Sequence, residues 1–121
     1  MDKKQISVIL PIHKKSSFIL KALASLADQT YKNFQLIIVD SSIDGIGEIK
    51  DLSNLHQEVK IVRAKGAFPG EARNKGIENS DFELISFIDL KTLPASDWLE
   101  DALVHFEDQS LEVLLGKGRG I

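Results

Sequence analysis

The sequence contains one decisive run, Phe82-Glu83-Leu84-Ile85-Ser86-Phe87-Ile88-Asp89-Leu90-Lys91, in which a mostly apolar stretch stops at Asp89. A run of this length, bounded by turn-type residues, is typical of a strand that is covered on both faces. In an open parallel sheet, ligands bind in the crevice outside the carboxyl ends of the strands. We therefore expect Asp89 to lie at a binding site, held by a rigid buried strand.

Similar patterns on both sides of this run predict an alternation of strands and helices. Four further strands are predicted, at residues 6–12, 34–39, 59–62 and 111–115. Helical spacing of apolar residues, with capping and stop signals, predicts helices from Ser16 or Ser17 to about residue 30, at about 46–55, from Pro69 to Lys75 with Gly76 as the stop, and from Trp98 onward. This order favours a single α/β domain over residues 1–121, with a parallel or mixed sheet of βαβ units.

The composition excludes several classes of protein. The 121 residues are 43% hydrophobic and 27% charged, with a net charge of −3 and no cysteine. A net negative charge gives no reason to expect a nucleic-acid partner. The absence of cysteine excludes disulfides and thiolate metal sites, and it fits a reducing compartment. No apolar run approaches the roughly 20 residues of a membrane-spanning helix and no apolar leader core is present, so we expect a cytoplasmic location.

Polar residues and glycines follow the predicted strands at the points where the strands end. His13 follows the first strand, Asp40 the second and Asp89 the fourth, and the third is followed by the loop 66–70 and Arg73. Each residue alone is also explained as an ordinary loop residue, since aspartate is common in turns. Together they suit a ligand with sugars and phosphates, because carboxylates accept from ribose hydroxyls or bind a cation, and arginine pairs with phosphate.

Five segments resemble, in order along the chain, the family 2 glycosyltransferases of the GT-A fold. They are Ile6-Ser7-Val8-Ile9-Leu10-Pro11; Leu23-Ala24-Ser25-Leu26 with Gln29-Thr30-Tyr31; Asn33-Phe34-Gln35-Leu36-Ile37-Ile38-Val39-Asp40; Gly70-Glu71-Ala72-Arg73-Asn74-Lys75-Gly76-Ile77; and Phe87-Ile88-Asp89 with Pro94 and Asp97-Trp98-Leu99. The fourth is similar to the family's alanine-arginine-asparagine-x-glycine segment, and the fifth to the region of its DxD motif. The shared order is more specific than any single motif.

The resemblance implies a three-layer α/β/α, Rossmann-like GT-A fold with a mostly parallel sheet, of which this chain is the donor-binding half. It implies an enzyme that transfers a sugar from a nucleotide-diphosphate sugar to an acceptor hydroxyl, with inversion by direct displacement. The acceptor would be a saccharide or a lipid-linked glycan. The setting would be polysaccharide biosynthesis at the inner face of a membrane.

The resemblance also implies which residues bind the nucleotide sugar. Pro11, Ile12 and His13 would line the base and ribose pocket, Asp40 with Ser41 would contact the base, Gly70 and Arg73 would contact the nucleotide, and Asp89 would lie near the ribose and the metal. For His13, stacking of the imidazole on a base and a solvated loop histidine are equal alternatives.

Two departures from the family pattern affect this site. The run Asp40-Ser41-Ser42-Ile43-Asp44 is one residue shorter than the corresponding family segment, which leaves the base selectivity open. Lys91 occupies the position of the last acid of DxD, so the usual Mg²⁺ or Mn²⁺ site loses a ligand. Two interpretations of Lys91 stay open. Either its charge replaces the metal, or it is a solvated lysine in a protein that binds metal weakly or not at all.

The second half of a family 2 enzyme, with the acceptor pocket and the catalytic base, has no counterpart in these residues, so the catalytic residue is unknown. One hypothesis is a glycosyltransferase, either as a genuinely short protein or as the donor-binding part of a longer enzyme, with an exposed helix face that promotes self-association. A second is a non-catalytic nucleotide or nucleotide-sugar binding module with a degenerate DxD motif. A third is an interaction platform whose strand-end acids only cap loops.

Overall fold

The computed structural model describes residues 5–47, 49, 55, 57–91, 94–109 and 113–115. In chain order its elements are β1 (Ile6–Ile12), α1 (Phe18–Ala27), β2 (Phe34–Asp40), β3 (Val59–Arg63), α2 (Pro69–Glu78), β4 (Leu84–Phe87), α3 (Trp98–Gln109) and β5 (Val113–Leu115). The alternation of strands and helices is as predicted. The helix predicted at about 46–55 lies mostly outside the described residues, and Ile46 and Gly47 at its start are not helical.

The described strands form one sheet in the order β3-β2-β1-β4-β5, and every pairing is parallel. β1 is central. It pairs with β2 from Ile6↔Phe34 to Ile12↔Asp40 and with β4 from Ile6↔Leu84 to Ile9↔Phe87. In chain order, β2 and β3 lie successively on one side of β1, and β4 and β5 lie successively on its other side. The strand order therefore reverses between β1 and β4.

Helices cover both faces of this sheet. On one face, α1 and α3 pack against side chains of β1 that include Val8 and Leu10. On the other face, α2 places Ala72 against a second apolar cluster that includes Ile9 and Ile37. Successive side chains of a strand point to opposite faces, so β1 contributes to both clusters. The three-layer α/β/α arrangement implied by the resemblance is confirmed.

The decisive apolar run forms a shorter strand than its composition predicts. β4 comprises only Leu84–Phe87. Phe82 precedes the strand because the hydroxyl of Ser80 accepts its N–H at 3.1 Å and donates to its carbonyl at 2.7 Å, which makes a local turn. Beyond the strand, the N–H of Ile88 donates to the carbonyl of Ile9 at 3.0 Å, so the chain stays beside β1 after β4 ends.

The Gln29 side chain joins α1 to α3. α1 ends at Ala27, earlier than predicted, and Gln29 beyond it is fully buried. Its amide nitrogen donates to the carbonyl of Ala95 at 2.7 Å, and its amide oxygen accepts from the N–H of Leu99 at 3.0 Å. Leu99 is in the first turn of α3, where backbone N–H groups have no partner within the helix. Gln29 therefore satisfies a buried donor that the helix itself leaves open.

α2 continues through Gly76, so the prediction that this glycine stops the helix is wrong. The helix extends to Glu78, and Gly76 is buried within it. A Cβ at Gly76 would lie 2.5 Å from Cγ2 and 3.0 Å from Cδ1 of Ile9. Ile9 is β-branched and fully buried in the central strand, so its side chain has no free space to move into. Gly76 is required for the close approach of α2 to β1.

We expect Gly76→Ala to lower the free energy of unfolding by about 1–2 kcal/mol. Overpacking a core costs about 1–3 kcal/mol, and the better helix propensity of alanine returns about 1 kcal/mol or less. Unfolding in urea measures the difference. Gly70→Ala is the matched control, because a Cβ at Gly70 meets no atom within 4 Å. Equal stability of Gly76→Ala and the wild type would contradict the close contact.

Candidate functional site

The candidate site lies at the carboxyl edge of the sheet, where the strand order reverses between β1 and β4. Open α/β sheets bind ligands in the crevice at such a point. Pro11 and Ile12 are the last residues of β1, half-buried and buried respectively, and His13 follows them with an exposed side chain. Asp89 directly follows Ile88, whose backbone is still bonded to β1. The structure thus places four of the predicted residues at this edge, from two adjacent strands.

Asp40 is the last residue of β2, and its side chain is largely buried. Its Oδ1 accepts from the N–H of Ser42 at 3.0 Å and from the Ser42 hydroxyl at 2.5 Å. Its Oδ2 accepts from the N–H of Ile46 at 3.1 Å. The guanidinium of Arg63 lies 3.3 Å from Oδ1. The carboxylate therefore holds the chain after β2 as a closed loop of residues 41–46, which we call the 41–46 loop.

These contacts determine the ionisation of Asp40. Burial alone raises the pKa of the carboxyl group, because it disfavours the charged form. The Ser42 hydroxyl, the N–H groups of Ile46 and Ser42, and the positive charge of Arg63 together outweigh burial and hold the pKa of Asp40 below its ordinary value of 3.8. Asp40 is therefore ionised at neutral pH, and much of its capacity to accept hydrogen bonds is used within the chain.

Arg63, which the sequence patterns did not single out, contacts the same loop. It is the last residue of β3 and lies opposite Asp40 in the register of β2 and β3. Its Nη1 donates to the carbonyls of Asp40, at 3.2 Å, and Ser42, and its Nη2 donates to the carbonyl of Ile43 at 3.0 Å. The only signal in the sequence is its position, since a cation directly after the third strand must lie at the edge that carries Asp40.

Ser41 connects the 41–46 loop to β1. Its N–H donates to the carbonyl of Ile12 at 2.9 Å, and its hydroxyl donates to the same carbonyl at 3.3 Å. The Ser41 hydroxyl also lies 3.5 Å from Nδ1 of His13, at the long limit for a hydrogen bond. Ser41 and His13, both predicted to contact the base and ribose, are therefore neighbours between the ends of β1 and β2.

Asp89 and Lys91 are both exposed after the end of β4. Oδ1 of Asp89 accepts from the backbone N–H of Lys91 at 3.0 Å, which is a local turn of the Asx type. Within the part of the chain that the structure describes, no group of three histidine, cysteine or acidic side chains is placed to hold a metal ion. Mg²⁺ requires an octahedron of oxygen ligands, and Asp89 alone does not make a preformed site for it.

The N-terminus of α2 lies at the same edge, because the loop after β3 leads directly into it. Pro69 is at the first helical position, and the Glu71 carboxylate accepts from the N–H of Phe68 at 2.9 Å. Gly70 has open space where a side chain would be. Arg73, one turn further along, is exposed. Free N–H groups at a helix start attract anions, so this end of α2 and the Arg73 guanidinium each favour a nearby anion.

The fold and this polar edge together define a doubly wound α/β domain with a candidate ligand-binding crevice at the reversal of strand order. Residues 7–121 match the family described as Glycosyl transferase family 2. The match covers nearly the whole chain, and the protein therefore belongs to this family. The family resemblance read from the five segments is confirmed.

Individual relatives and solved structures agree with this assignment. An uncharacterized glycosyltransferase of Rickettsia conorii is 32% identical over 111 residues, which are 91% of this chain and 18% of that protein. Glycosyltransferase GlyA of Streptococcus pneumoniae is 32% identical over 103 residues, which are 84% of this chain and 14% of that protein. The chain thus spans less than a fifth of the length of either relative.

A solved structure, that of TarS of S. aureus, has the same fold. The crystal structure of S. aureus TarS residues 1–349 superposes with a TM-score of 0.74 at 23% identity, over 88% of this chain and 33% of the TarS chain. The same TarS fragment in complex with UDP-GlcNAc superposes with a TM-score of 0.66 at 22% identity, over 88% of this chain and 32% of that one. At this level of identity the likeness establishes the GT-A fold of the described residues.

We expect Asp40 to make the stability of the fold depend on pH. Its folded-state pKa lies below 3.8, so its contribution is complete above that value and is lost as the pH falls through the folded-state pKa. Asp40→Asn should lower the free energy of unfolding by about 1–3 kcal/mol at pH 7, with a difference from the wild type that shrinks toward pH 3. Urea unfolding at pH 7, 5 and 3 measures this.

Asp89→Asn is the matched control for this comparison. Asp89 is exposed and makes a local turn, so we expect its substitution to change the free energy of unfolding by about 0.5 kcal/mol or less at any of these pH values. A deficit of Asp40→Asn that is the same at pH 3 and pH 7 would show that its carboxylate charge does not stabilise the loop.

Proposed function

We propose that this chain binds the nucleotide-diphosphate sugar from which a family 2 glycosyltransferase transfers a sugar to an acceptor hydroxyl. The observation that carries the proposal is the gathering of Pro11, His13 and Asp89 at the reversal of strand order, in a chain of this family. TarS of S. aureus, which has the same fold, has been solved in complex with UDP-GlcNAc, and this supports a UDP-sugar as the donor class.

The base and ribose are proposed to lie at the ends of β1 and β2. Pro11 is half-buried and gives an apolar surface, and the exposed ring of His13 is free to stack on a base. Ser41 is buried and its hydroxyl already donates to the carbonyl of Ile12, so Ser41 is proposed to hold His13 in place beside the nucleoside. Asp40 contributes by ordering the 41–46 loop, since its carboxylate already has four donors around it.

The diphosphate is proposed to lie at the start of α2. The open space at Gly70 lets an anion approach the free N–H groups of the first helical turn, and Arg73 is exposed for pairing with a phosphate. Asp89 then accepts from the ribose hydroxyls at the end of β4. Lys91 adds a positive charge two residues further along.

The proposed reaction is a displacement at the anomeric carbon. The acceptor oxygen bonds to that carbon as the bond to the diphosphate breaks, and a general base takes the hydroxyl proton. Negative charge grows on the leaving diphosphate, where Arg73 and the N-terminus of α2 would stabilise it. The site residues proposed in this chain bind, orient and neutralise the donor. The base is not assigned to any of them, and the acceptor is proposed to be a saccharide or a lipid-linked glycan.

A divalent metal is proposed to contribute little to donor binding by this chain. Asp89 is the one acid that the family pattern offers at this point, because Lys91 replaces the second. When bound, Mg²⁺ or Mn²⁺ would neutralise the diphosphate, and Asp89 would be its ligand from the chain. The exposed cations of Arg73 and Lys91 supply part of the same charge without a metal.

A non-catalytic nucleotide-binding module is the second candidate, motivated by the degenerate DxD motif. It is not favoured, because the relatives are glycosyltransferases by name.

The proposal includes a cytoplasmic site of action at the inner membrane face and a role in polysaccharide biosynthesis.

No helix among the described residues has the length and apolar character needed to cross a membrane.

Calorimetric titration with UDP, GDP and their sugars tests the proposal. We expect at least one nucleotide diphosphate to bind, and Arg73→Met to weaken its affinity about tenfold or more because a pairing with phosphate is lost. Lys75→Met is the matched control. Lys75 is an exposed cation two residues further along α2 and therefore on another face of the helix, and its substitution should change the affinity less than about threefold.

The outcomes separate the candidate functions. A folded chain that binds none of these nucleotides would refute both donor binding and the non-catalytic module. Binding of UDP-sugar without hydrolysis or transfer to any saccharide or lipid-linked acceptor would favour the module. If Arg73→Met and Lys75→Met weaken nucleotide binding equally, the affinity depends only on the net charge of the chain and not on a contact of Arg73.

Lys91 substitutions test the metal proposal. We expect the UDP affinity of the wild type to agree within about threefold in Mn²⁺ and in EDTA, and Lys91→Asp, which restores the second acid, to bind UDP about tenfold more tightly in Mn²⁺ than in EDTA. Lys91→Ala is the matched control, since it removes the lysine without adding a ligand. Weakened binding by Lys91→Ala in EDTA would mean that the lysine charge replaces the metal, and unchanged binding would assign it as a solvated loop lysine.

A further inference from the structure

Arg63 lies outside the residues that the family pattern connects with the nucleotide, yet its exposed guanidinium donates to three backbone carbonyls at the candidate site. We infer that Arg63 is a positioning residue for recognition of the base, which acts by fixing the 41–46 loop. The inference rests on the proposed function, because it assigns a task to one part of the proposed donor site.

The first support is the shape of the contact. The guanidinium donates to the carbonyls of Asp40, Ser42 and Ile43 and lies 3.3 Å from the Asp40 carboxylate. Its planar fork of N–H donors reaches several acceptors of one loop at once. A lysine ammonium is a single point of charge on a flexible stem and cannot reproduce that pattern.

The second support is that Asp40 and Arg63 bind complementary groups of the same loop. Asp40 accepts from two backbone N–H groups of the loop, those of Ser42 and Ile46. Arg63 donates to carbonyls of the same loop. Backbone N–H groups of the loop thus donate to the carboxylate, and backbone carbonyls of the loop accept from the guanidinium. The loop is therefore held by the ends of two adjacent strands. These hydrogen bonds on both sides favour one conformation of the short loop.

The third support is the route from Arg63 to the base. The N–H of Ser41 is bonded to the end of β1 and its carbonyl accepts from the N–H of Gly66 at 2.9 Å, so Ser41 is held between the end of β1 and the loop that follows β3. Its hydroxyl lies beside His13. Loss of the Arg63 contacts frees the residues that follow Ser41 and loosens this arrangement. The start of α2 and Asp89 do not depend on those contacts, so the diphosphate end of the site should be affected less.

A lysine substitution separates positioning from charge. We expect Arg63→Lys to weaken UDP binding about tenfold or more, and to reduce the ratio of UDP affinity to ADP affinity, while the affinity for inorganic pyrophosphate changes less than about threefold. Titration calorimetry, with competition for the pyrophosphate, measures all three. An equal loss for UDP, ADP and pyrophosphate would overturn the inference, because it would mean that Arg63 binds the phosphates directly.

Amide hydrogen exchange gives a second readout that needs no ligand. In Arg63→Lys, the amides of Ser42 and Ile46 should exchange about tenfold faster or more, while that of Ile38 within β2 stays unchanged. Lys60→Met is the matched control. It removes a cation from the same strand, three residues before Arg63. Lys60 forms an ion pair with Asp81 at 2.9 Å and does not contact the 41–46 loop. This variant should leave both the loop amides and UDP binding unchanged.

The two readouts keep the inference separate from the proposed function. If the wild type binds no nucleotide, the proposed function fails, and with it the assigned task of Arg63, even where the loop amides respond as expected. If the wild type binds UDP and Arg63→Lys binds it with equal affinity and selectivity, the proposed function stands and the inference about Arg63 is wrong. Unchanged exchange at Ser42 and Ile46 would also overturn it.

Discussion

The pairing of β1 on both of its edges, together with its burial on both faces, determines where the other elements lie. Its backbone is bonded to β2 and β4, and its side chains alternate between the two helix layers. A strand so enclosed has no space for adjustment, which is why α2 must bring a glycine, Gly76, against Ile9. The same enclosure leaves the end of β1 as the point where the strand becomes accessible, and the polar residues of the edge begin there at His13.

The charged groups at that edge fall into two kinds. Asp40 is buried and is paired with Arg63 and with backbone groups of the 41–46 loop, as a charge with little access to water must be, whereas Arg63 is exposed but held by the same contacts. Asp89 and Arg73 are exposed. A group whose hydrogen bonds are already made gains little from a ligand, because it must give up one partner to take another. In the proposed site, recognition of charge would therefore fall to Asp89 and Arg73, and the contacts of Asp40 and Arg63 would set the geometry.

The sequence predicts the strands well because burial on both faces demands continuous apolar runs, and such runs are visible in 6–12 and 34–39. The shared edge also follows from the sequence, since alternating strands and helices put the strand ends together. Close contacts between elements cannot be predicted from the sequence. The role of Gly76 depends on how near α2 lies to β1, and a glycine late in a helix reads equally well as a stop. The contacts of Arg63 cannot be predicted from the sequence, because they follow from its position opposite Asp40 in the register of β2 and β3.

The exchange of an acid for Lys91 has a consequence for how the proposed donor site must work. A metal neutralises a diphosphate from one point, between the phosphates and the acids that hold it. Without the second acid, neutralisation in the proposed site would be spread over separate groups, namely the start of α2, Arg73 and Lys91. Each of these is exposed and screened by salt, so the attraction for the donor falls as ionic strength rises, more steeply than for a metal held within the site. The part of the proposed site that holds the base would then contribute more of the specificity, and this part depends on the order of the 41–46 loop.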